Sequence, residues 1–172
     1  MTSSRIPGTA DAIALVPITR ADAPALHNLY QLYAHDFSEF VALPINPDGR
    51  FGIAPSDLWW SSDAHYPFFI HKAGALCGFA LVQRGSRLSE DRDLMDVAEF
   101  FVLRGARRRN IGQQAACALL DAFHGRWEIR VRQANAPALA FWSRVVVARA
   151  SKVERRACTL EGVDWLVFAF ST

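Results

Sequence analysis

Apolar side chains recur along this chain at two spacings, and the points where one spacing gives way to the other mark its elements. Residues 12–18 form a short apolar run ending at Pro17 and Thr19, as expected of a first strand. Thr19 or Asp22 can then cap a helix with Pro24 in its first turn, on which Leu26, Leu29, Tyr30, Tyr33 and Phe37 recur every three or four residues. Periodicity breaks down over 40–67 among Pro44, Pro47, Gly49, Gly52 and Pro55, which predicts a long loop with a short helix near 56–60. Residues 66–71 and 75–83 are aromatic or β-branched runs joined at Ala73-Gly74, a hairpin pattern, and a second turn follows over 85–92.

Residues 94–103 are apolar apart from Asp96 and Glu99, which predicts a central strand buried on both faces. An arginine-rich loop occupies 104–110. Residues 111–124 have helical composition and stop at Gly125, and 127–132 alternate like a strand. Pro137 opens a second helix through Arg144, and 151–159 with 165–170 flank Glu161-Gly162 as a closing hairpin. Strand, helix, loop, three antiparallel strands, helix, strand, helix and two strands make an α+β or mixed α/β domain, with one sheet and helices on both faces.

Composition narrows the class. A chain of 172 residues, 51% hydrophobic, suffices for one core and not for two ordinary domains. The small, polar residues 1–11 are expected to be a flexible N-terminus ahead of a single domain over 12–172. No apolar leader segment and no run of about 18 apolar residues is visible, so a cytoplasmic protein without membrane contact is expected. Cys77, Cys117 and Cys158 sit among apolar neighbours and read as buried thiols; the five histidines show no ligand spacing, so no metal is expected. The net charge of +2 conceals a split. Residues 1–100 hold 7 Lys and Arg against 12 Asp and Glu, net −5, and residues 101–172 hold 12 against 5, net +7. All but Lys72 and Lys152 of the basic residues are arginines, whose forked guanidinium suits phosphate and carboxylate.

The chemistry concentrates where strand 94–103 feeds the basic loop and then a helix starting at Ile111 or Gly112. Such a junction offers unpaired backbone N–H groups and the positive end of a helix dipole, hence an anion site. Gly112 permits close approach of the backbone, Asn110 tolerates a left-handed conformation, and Arg107, Arg108 and Arg109 attract phosphate. A nucleic-acid module would need basic residues interleaved with aromatics on one face, which the chain lacks, and the acidic front half opposes it. No G-x-G-x-x-G follows the first strand, against a nicotinamide dinucleotide site.

Arg107-Arg108-Arg109-Asn110-Ile111-Gly112 resembles the Gln/Arg-x-x-Gly-x-Gly/Ala acyl-CoA-binding motif of the GNAT superfamily of N-acetyltransferases, with Asn110 replacing the first glycine. Asn135-Ala-Pro-Ala138-Leu-Ala-Phe141-Trp142 is similar to the superfamily's Asn-x-x-Ala-x-x-Phe-Tyr element, and the two matches span roughly 96–147. The resemblance implies a single domain around a mixed, mostly antiparallel, twisted sheet of about six to seven strands with helices on both faces. It further implies transfer of an acetyl group from acetyl-CoA (coenzyme A) to a primary amine, small molecule or peptide, by direct attack in a ternary complex, and allows a homodimer. Backbone groups of Phe101 and Leu103, with Val102 between them, would pair with the pantetheine arm. Backbone N–H groups from Arg108 through Arg109, Asn110, Ile111 and Gly112 to Gln113 would cradle the pyrophosphate beside Arg107. Asn135 would lie along the arm, with Phe141 near its far end, and strands 94–103 and 127–132 would splay apart.

An alkylammonium must lose a proton before attacking a carbonyl, and Glu99 is the candidate base: it shares a face with Phe101 and Leu103, and burial would raise its pKa. Pairing with an arginine across the sheet is its alternative role. A strand N–H near Phe101 would stabilise the oxyanion. The superfamily's thiolate-protonating tyrosine is matched by Trp142, an indole that is no practical acid, so Ser143, water or a tyrosine from elsewhere must serve. That departure leaves a non-catalytic acyl-CoA-binding sensor as the alternative. Asp36, Glu39 and Asp57 are candidates to receive a cationic amine.

Overall fold

Each apolar rhythm finds its counterpart in a computed structural model, which describes residues 12–172; the expected flexible terminus lies outside the described residues. Strand β1 (Ile13–Pro17) leads through a short 3-10 turn into helix α1 (Ala23–Phe37), and a short helix α2 (Leu58–Ser61) lies within the long loop. Strands β2 (His65–Lys72), β3 (Ala75–Arg84) and β4 (Met95–Val102) follow, then α3 (Ile111–Ala122), β5 (Arg126–Arg132), α4 (Ala136–Val147), β6 (Val153–Leu160) and β7 (Val163–Ser171). Helix α4 runs three residues beyond the expected end at Arg144, because Val145 and Val146 are fully buried and extend its apolar face. Local signals hold at the turns: Ala73 and Gly74 both take positive φ, as do Glu161 and Gly162, the geometry of a two-residue hairpin.

The seven strands form one open sheet in the order β1-β2-β3-β4-β5-β7-β6. Every pairing is antiparallel except β4 with β5, which is parallel and confined to Met95 opposite Trp127 and Asp96 opposite Glu128. Beyond those two pairs the strands part, so the middle of the sheet is split along most of β4. One face carries α3 and α4 over a core that includes Leu119, Leu120, Trp127, Ile129, Val145 and Phe168; the other packs α1 over Leu26, Leu29, Phe79, Leu81 and Phe101. Cys77 and Cys117 are buried as expected, whereas Cys158 is half-exposed, since β6 is an edge strand.

A bulge breaks the alternation of β4. Leu81 pairs with Glu99 and Val82 with Val97, leaving Ala98 as the extra residue. Ala98 and Glu99 therefore both turn toward α1, and Phe100 and Val102 face α3 and α4. Gly78 sits where β3 presses on β4: a Cβ there would fall 2.0 Å from the Phe101 carbonyl oxygen.

Candidate active site

The split between β4 and β5 opens into a cleft of about 720 Å³. Its floor is Phe100, Phe101 and Val102, one wall is Arg107, Arg108, Asn110, Ile111, Gly112 and Gln113, and the opposite wall is Asn135, Phe141 and Trp142. Tyr33, Phe37 and Phe40 close the side toward α1. Leu103 and Arg109 do not line this cleft; with Ile111 they border a second hollow beside Lys72 and Cys77.

The start of α3 is built as the sequence implies. Asn110 holds φ 61° and ψ 7°, left-handed, and no side chain caps the helix, so its first N–H groups face the cleft. Arg108 also takes a positive φ of 62°, which motif spacing did not foretell. Two left-handed residues separated by one turn a series of peptide N–H groups inward, an anion cradle. Gly112 lets α3 seat against both β4 and α4: a Cβ there would meet Phe141 at 3.4 Å and Val102 at 3.6 Å. Arg107 Nε donates to the Val102 carbonyl at 2.8 Å, and its guanidinium lies 5.8 Å from the Phe101 ring.

Strand geometry corrects one expectation. Leu103 N–H donates to the Cys77 carbonyl at 2.8 Å, and its own carbonyl accepts from Ala106. Alternation along an antiparallel strand therefore turns the backbone groups of Phe101 and Leu103 toward β3, and those of Phe100 and Val102 toward the split. Phe100 and the Val102 N–H, not Phe101 and Leu103, offer the unpaired strand edge there, the Val102 carbonyl being taken by Arg107. By the same alternation the exposed amide suited to an oxyanion belongs to Val102.

On the facing wall, Asn135 caps α4 by accepting from Ala138 N–H at 3.0 Å. Phe141 stacks on Phe100 with centroids 5.6 Å apart. Trp142 is buried, edge-on to Phe100 at 5.3 Å and to Phe141 at 5.1 Å, which makes it a packing residue. Ser143 Oγ accepts from Arg155 at 2.8 Å and does not line the cleft.

Glu99 is half-buried on the α1 side of the split. Tyr33 Oη donates to its Oε2 at 2.5 Å and Tyr30 Oη to its Oε1 at 3.3 Å, so neither arginine pairing nor solvent accounts for its carboxylate. Burial pushes Glu99 above the usual carboxylate range, against the two tyrosine hydrogen bonds that pull it down. Burial and the neighbouring carboxylate together push both phenols well above the ordinary tyrosine value, so they remain protonated donors. Tyr33, not Glu99, lines the cleft, which makes its hydroxyl the link between cleft and carboxylate. The sequence reading missed Tyr33 as a site residue. The available signal was two phenols three residues apart on an apolar helical stripe, each requiring a buried partner.

The acidic candidates for an amine fare differently. Asp36 pairs with Arg104 Nε at 2.7 Å and with Arg107, so it is committed to the phosphate loop. Although burial alone would raise it, hydrogen bonds from Arg107 and Arg104 hold Asp36 below the usual range. Glu39 stands exposed at the cleft, and Asp57 sits at the start of α2 outside it. Among the described residues no cluster of three His, Cys, Asp or Glu side chains is arranged to hold a metal ion, and no helix is long and apolar enough to cross a membrane.

Known structures share this fold. An acetyltransferase from Thermus thermophilus is 17% identical, covers 94% of this chain and 97% of its own, and superposes with a TM-score of 0.66. The aminoglycoside acetyltransferase AAC(6')-Ib in complex with coenzyme A and kanamycin is 12% identical, with 93% and 95% coverage and a TM-score of 0.68. A spermidine N-acetyltransferase SpeG chimera from Vibrio cholerae and hSSAT is also 12% identical, with 93% and 95% coverage and a TM-score of 0.60. A search of curated proteins finds no match. At these identities the likeness establishes the fold, and the model of the acetyltransferase (GNAT) family matches residues 26–145, most of the chain. With its open seven-stranded sheet split between β4 and β5, the chain belongs to the GNAT acetyltransferase family.

Proposed function

We propose that this protein transfers an acetyl group from acetyl-CoA to an amine by direct attack, with Glu99 as the base that receives the amine's proton through Tyr33. The observation that carries the proposal is the doubly hydrogen-bonded Glu99 beside the split, on the opposite side of β4 from the uncapped start of α3. Acetyl-CoA supplies an acyl group activated as a thioester. The residues present fit such a molecule: left-handed Arg108 and Asn110 with the free N–H groups of Ile111, Gly112 and Gln113 suit a pyrophosphate, and the open edge of Phe100 and Val102 suits an extended amide-bearing arm.

Each protein group then has one task. Tyr33 passes its proton to Glu99 Oε2 as its Oη accepts one from the incoming ammonium, so one proton leaves the nitrogen and one is stored on the carboxyl. Val102 N–H faces the developing oxyanion. Returning the stored proton through Tyr33 Oη protonates the departing sulfur, which removes the need for an acid at Trp142, and the second proton that the nitrogen loses as the amide forms is released to solvent. Burial of Glu99 brings its pKa nearer working pH, where a general base is most effective.

The test is calorimetric binding of acetyl-CoA together with thiol release against a panel of amines. Binding with release for at least one amine, and release strongly reduced in Glu99→Gln with unchanged acetyl-CoA affinity, is the expected result. Tight binding with no release in any amine would instead establish the non-catalytic sensor.

A further inference from the structure

The α1-facing side of β5 carries Glu128, Arg130 and Arg132 at alternate positions, and two of the three have partners of opposite charge. Glu128 accepts from Ser86 Oγ at 2.5 Å and pairs with Arg156; Arg130 pairs with Asp96 at 3.2 Å. The Arg132 side chain makes no hydrogen bond or ion pair among the described residues. Its guanidinium is clamped between two rings instead, 5.4 Å from Phe37 on α1 and 5.1 Å from Trp165, its register partner on β7. Arg130 lies 5.4 Å from the same indole.

Three N–H donors meet here without an acceptor: Arg130 Nε, Arg132 Nε and Trp165 Nε1 are buried and unpartnered. Nearby Asp96 accepts through Oδ2 from Arg130 and Gln83, and its Oδ1 is unpartnered. A buried donor without an acceptor loses its hydration with no compensation, and Arg132 adds a charge with no counterion. Stacking has already fixed its guanidinium plane, so little freedom remains to be lost when it forks a carboxylate. The wall also lies next to the reacting centre. Phe37 stacks on Tyr33 at 5.4 Å, both line the cleft, and Tyr33 holds Glu99. Of the nearby carboxylates that would attract a polycation, Asp36 is occupied by Arg104 and Arg107 and Asp96 by Arg130, which leaves only Glu39, exposed at the cleft.

We propose that the acceptor is an amine that also bears a carboxylate, an amino-acid-type substrate, with that carboxylate seated on Arg132 and the Trp165 indole N–H while its amine reaches Tyr33 and Glu99. This rests on the acetyltransfer reading above. The test compares matched acceptors with and without the carboxylate, such as lysine against cadaverine and other amino acids against their amides, by thiol release from acetyl-CoA. The carboxylated member is favoured in kcat/KM by roughly 10- to 100-fold, the scale of a charge-assisted bidentate contact. Arg132→Gln brings the ratio close to one through KM, Arg132→Lys restores part of it, and Trp165→Phe, which keeps the stack but removes the donor, lowers it partially. Equal or better use of the partner without the carboxylate, or an unchanged ratio in folded Arg132→Gln, overturns the carboxylate site while acetyltransfer stands. No release with any amine, carboxylated or not, overturns both.

Discussion

Replacing Tyr33 with phenylalanine removes one oxygen and isolates the link between cleft and base. Tyr33 makes the shorter of the two bonds to Glu99, 2.5 Å against 3.3 Å from Tyr30, so most of the local support of the carboxylate rests on it. A hydrogen bond to a charged group is worth about 1.5–3 kcal/mol, and 1.36 kcal/mol corresponds to one pKa unit. Because water partly replaces the lost hydroxyl, the expected rise in the Glu99 pKa is about one unit. A base must be deprotonated to work, so the acid limb of kcat/KM against pH moves to higher pH by that amount. If Tyr33 also carries the proton, the plateau above the limb falls by about 10²-fold, the lower end of general acid–base contributions. The assay is thiol release from acetyl-CoA across pH, with circular dichroism to confirm folding. A Tyr33→Phe profile that superimposes on the parent in both limb and plateau would falsify the assignment of Tyr33 and leave Glu99 exchanging protons by another route.

Glu99→Gln is expected to lower turnover at neutral pH by about 10²–10⁴-fold without lowering stability. Burial raises Glu99 above its unfolded value, so its stabilising contribution is complete at acid pH and is lost as pH rises through the folded pKa. The neutral amide escapes that loss, so thermal melts should show the Glu99→Gln variant level with the parent at acid pH and equal or higher at neutral pH. Asp36 has the opposite sign: its pKa is held down by Arg107 and Arg104, so its contribution is present above the ordinary carboxylate range and disappears on acidification. Asp36→Asn should cost under about 1 kcal/mol, since its arginine partners are well exposed. It should also tighten acetyl-CoA binding about threefold in low salt, a gain that calorimetry should find abolished near roughly 0.5 M salt. Gly78→Ala should prevent soluble folding, because its Cβ would meet backbone at 2.0 Å, while Gly105→Ala, with nothing within 4 Å, should express and melt as the parent does.

The parts of the site legible in the sequence are those that a few consecutive residues determine. The left-handed Asn110 and the uncapped start of α3 follow from local spacing, and both appear where expected. Glu99 also falls on the expected face, because two-residue alternation from Phe101 survives on that side of the bulge. What the sequence hides is what the bulge and the register decide. Period-two alternation places side chains, but whether Phe101 or Val102 turns its amide to the split depends on which residues bond β3, a tertiary fact. The partners of Glu99 come from 66 and 69 residues away, and Arg132 meets Trp165 only through the β5 and β7 register. Only the helical spacing of Tyr30 and Tyr33 hinted that an acceptor had to lie opposite them.

Charge carries the synthesis one step further. The acidic front half and basic back half of the chain neutralise one another in the fold: Asp36 meets Arg104 and Arg107, Asp91 meets Arg126, and Asp96 meets Arg130. Arg149, Arg155 and Arg156 are also engaged, by Asp121, Ser143 and Glu128. Among the arginines that find no carboxylate in the described residues, three stand out by position. Arg108 and Arg144 line the cleft, and Arg132 faces it across Phe37. Helix α1 ties these regions together, since Tyr33, Asp36 and Phe37 follow at three- and four-residue spacing and touch Glu99, the arginine-rich loop and the β5 wall in turn. A rigid helix that contacts all three fixes their separation. Under the proposed seating of a carboxylate on Arg132 and an amine at Tyr33, that fixed separation predicts that chain length in the acceptor is read out as sharply as charge, which a series of amino acids of increasing chain length in the thiol-release assay checks.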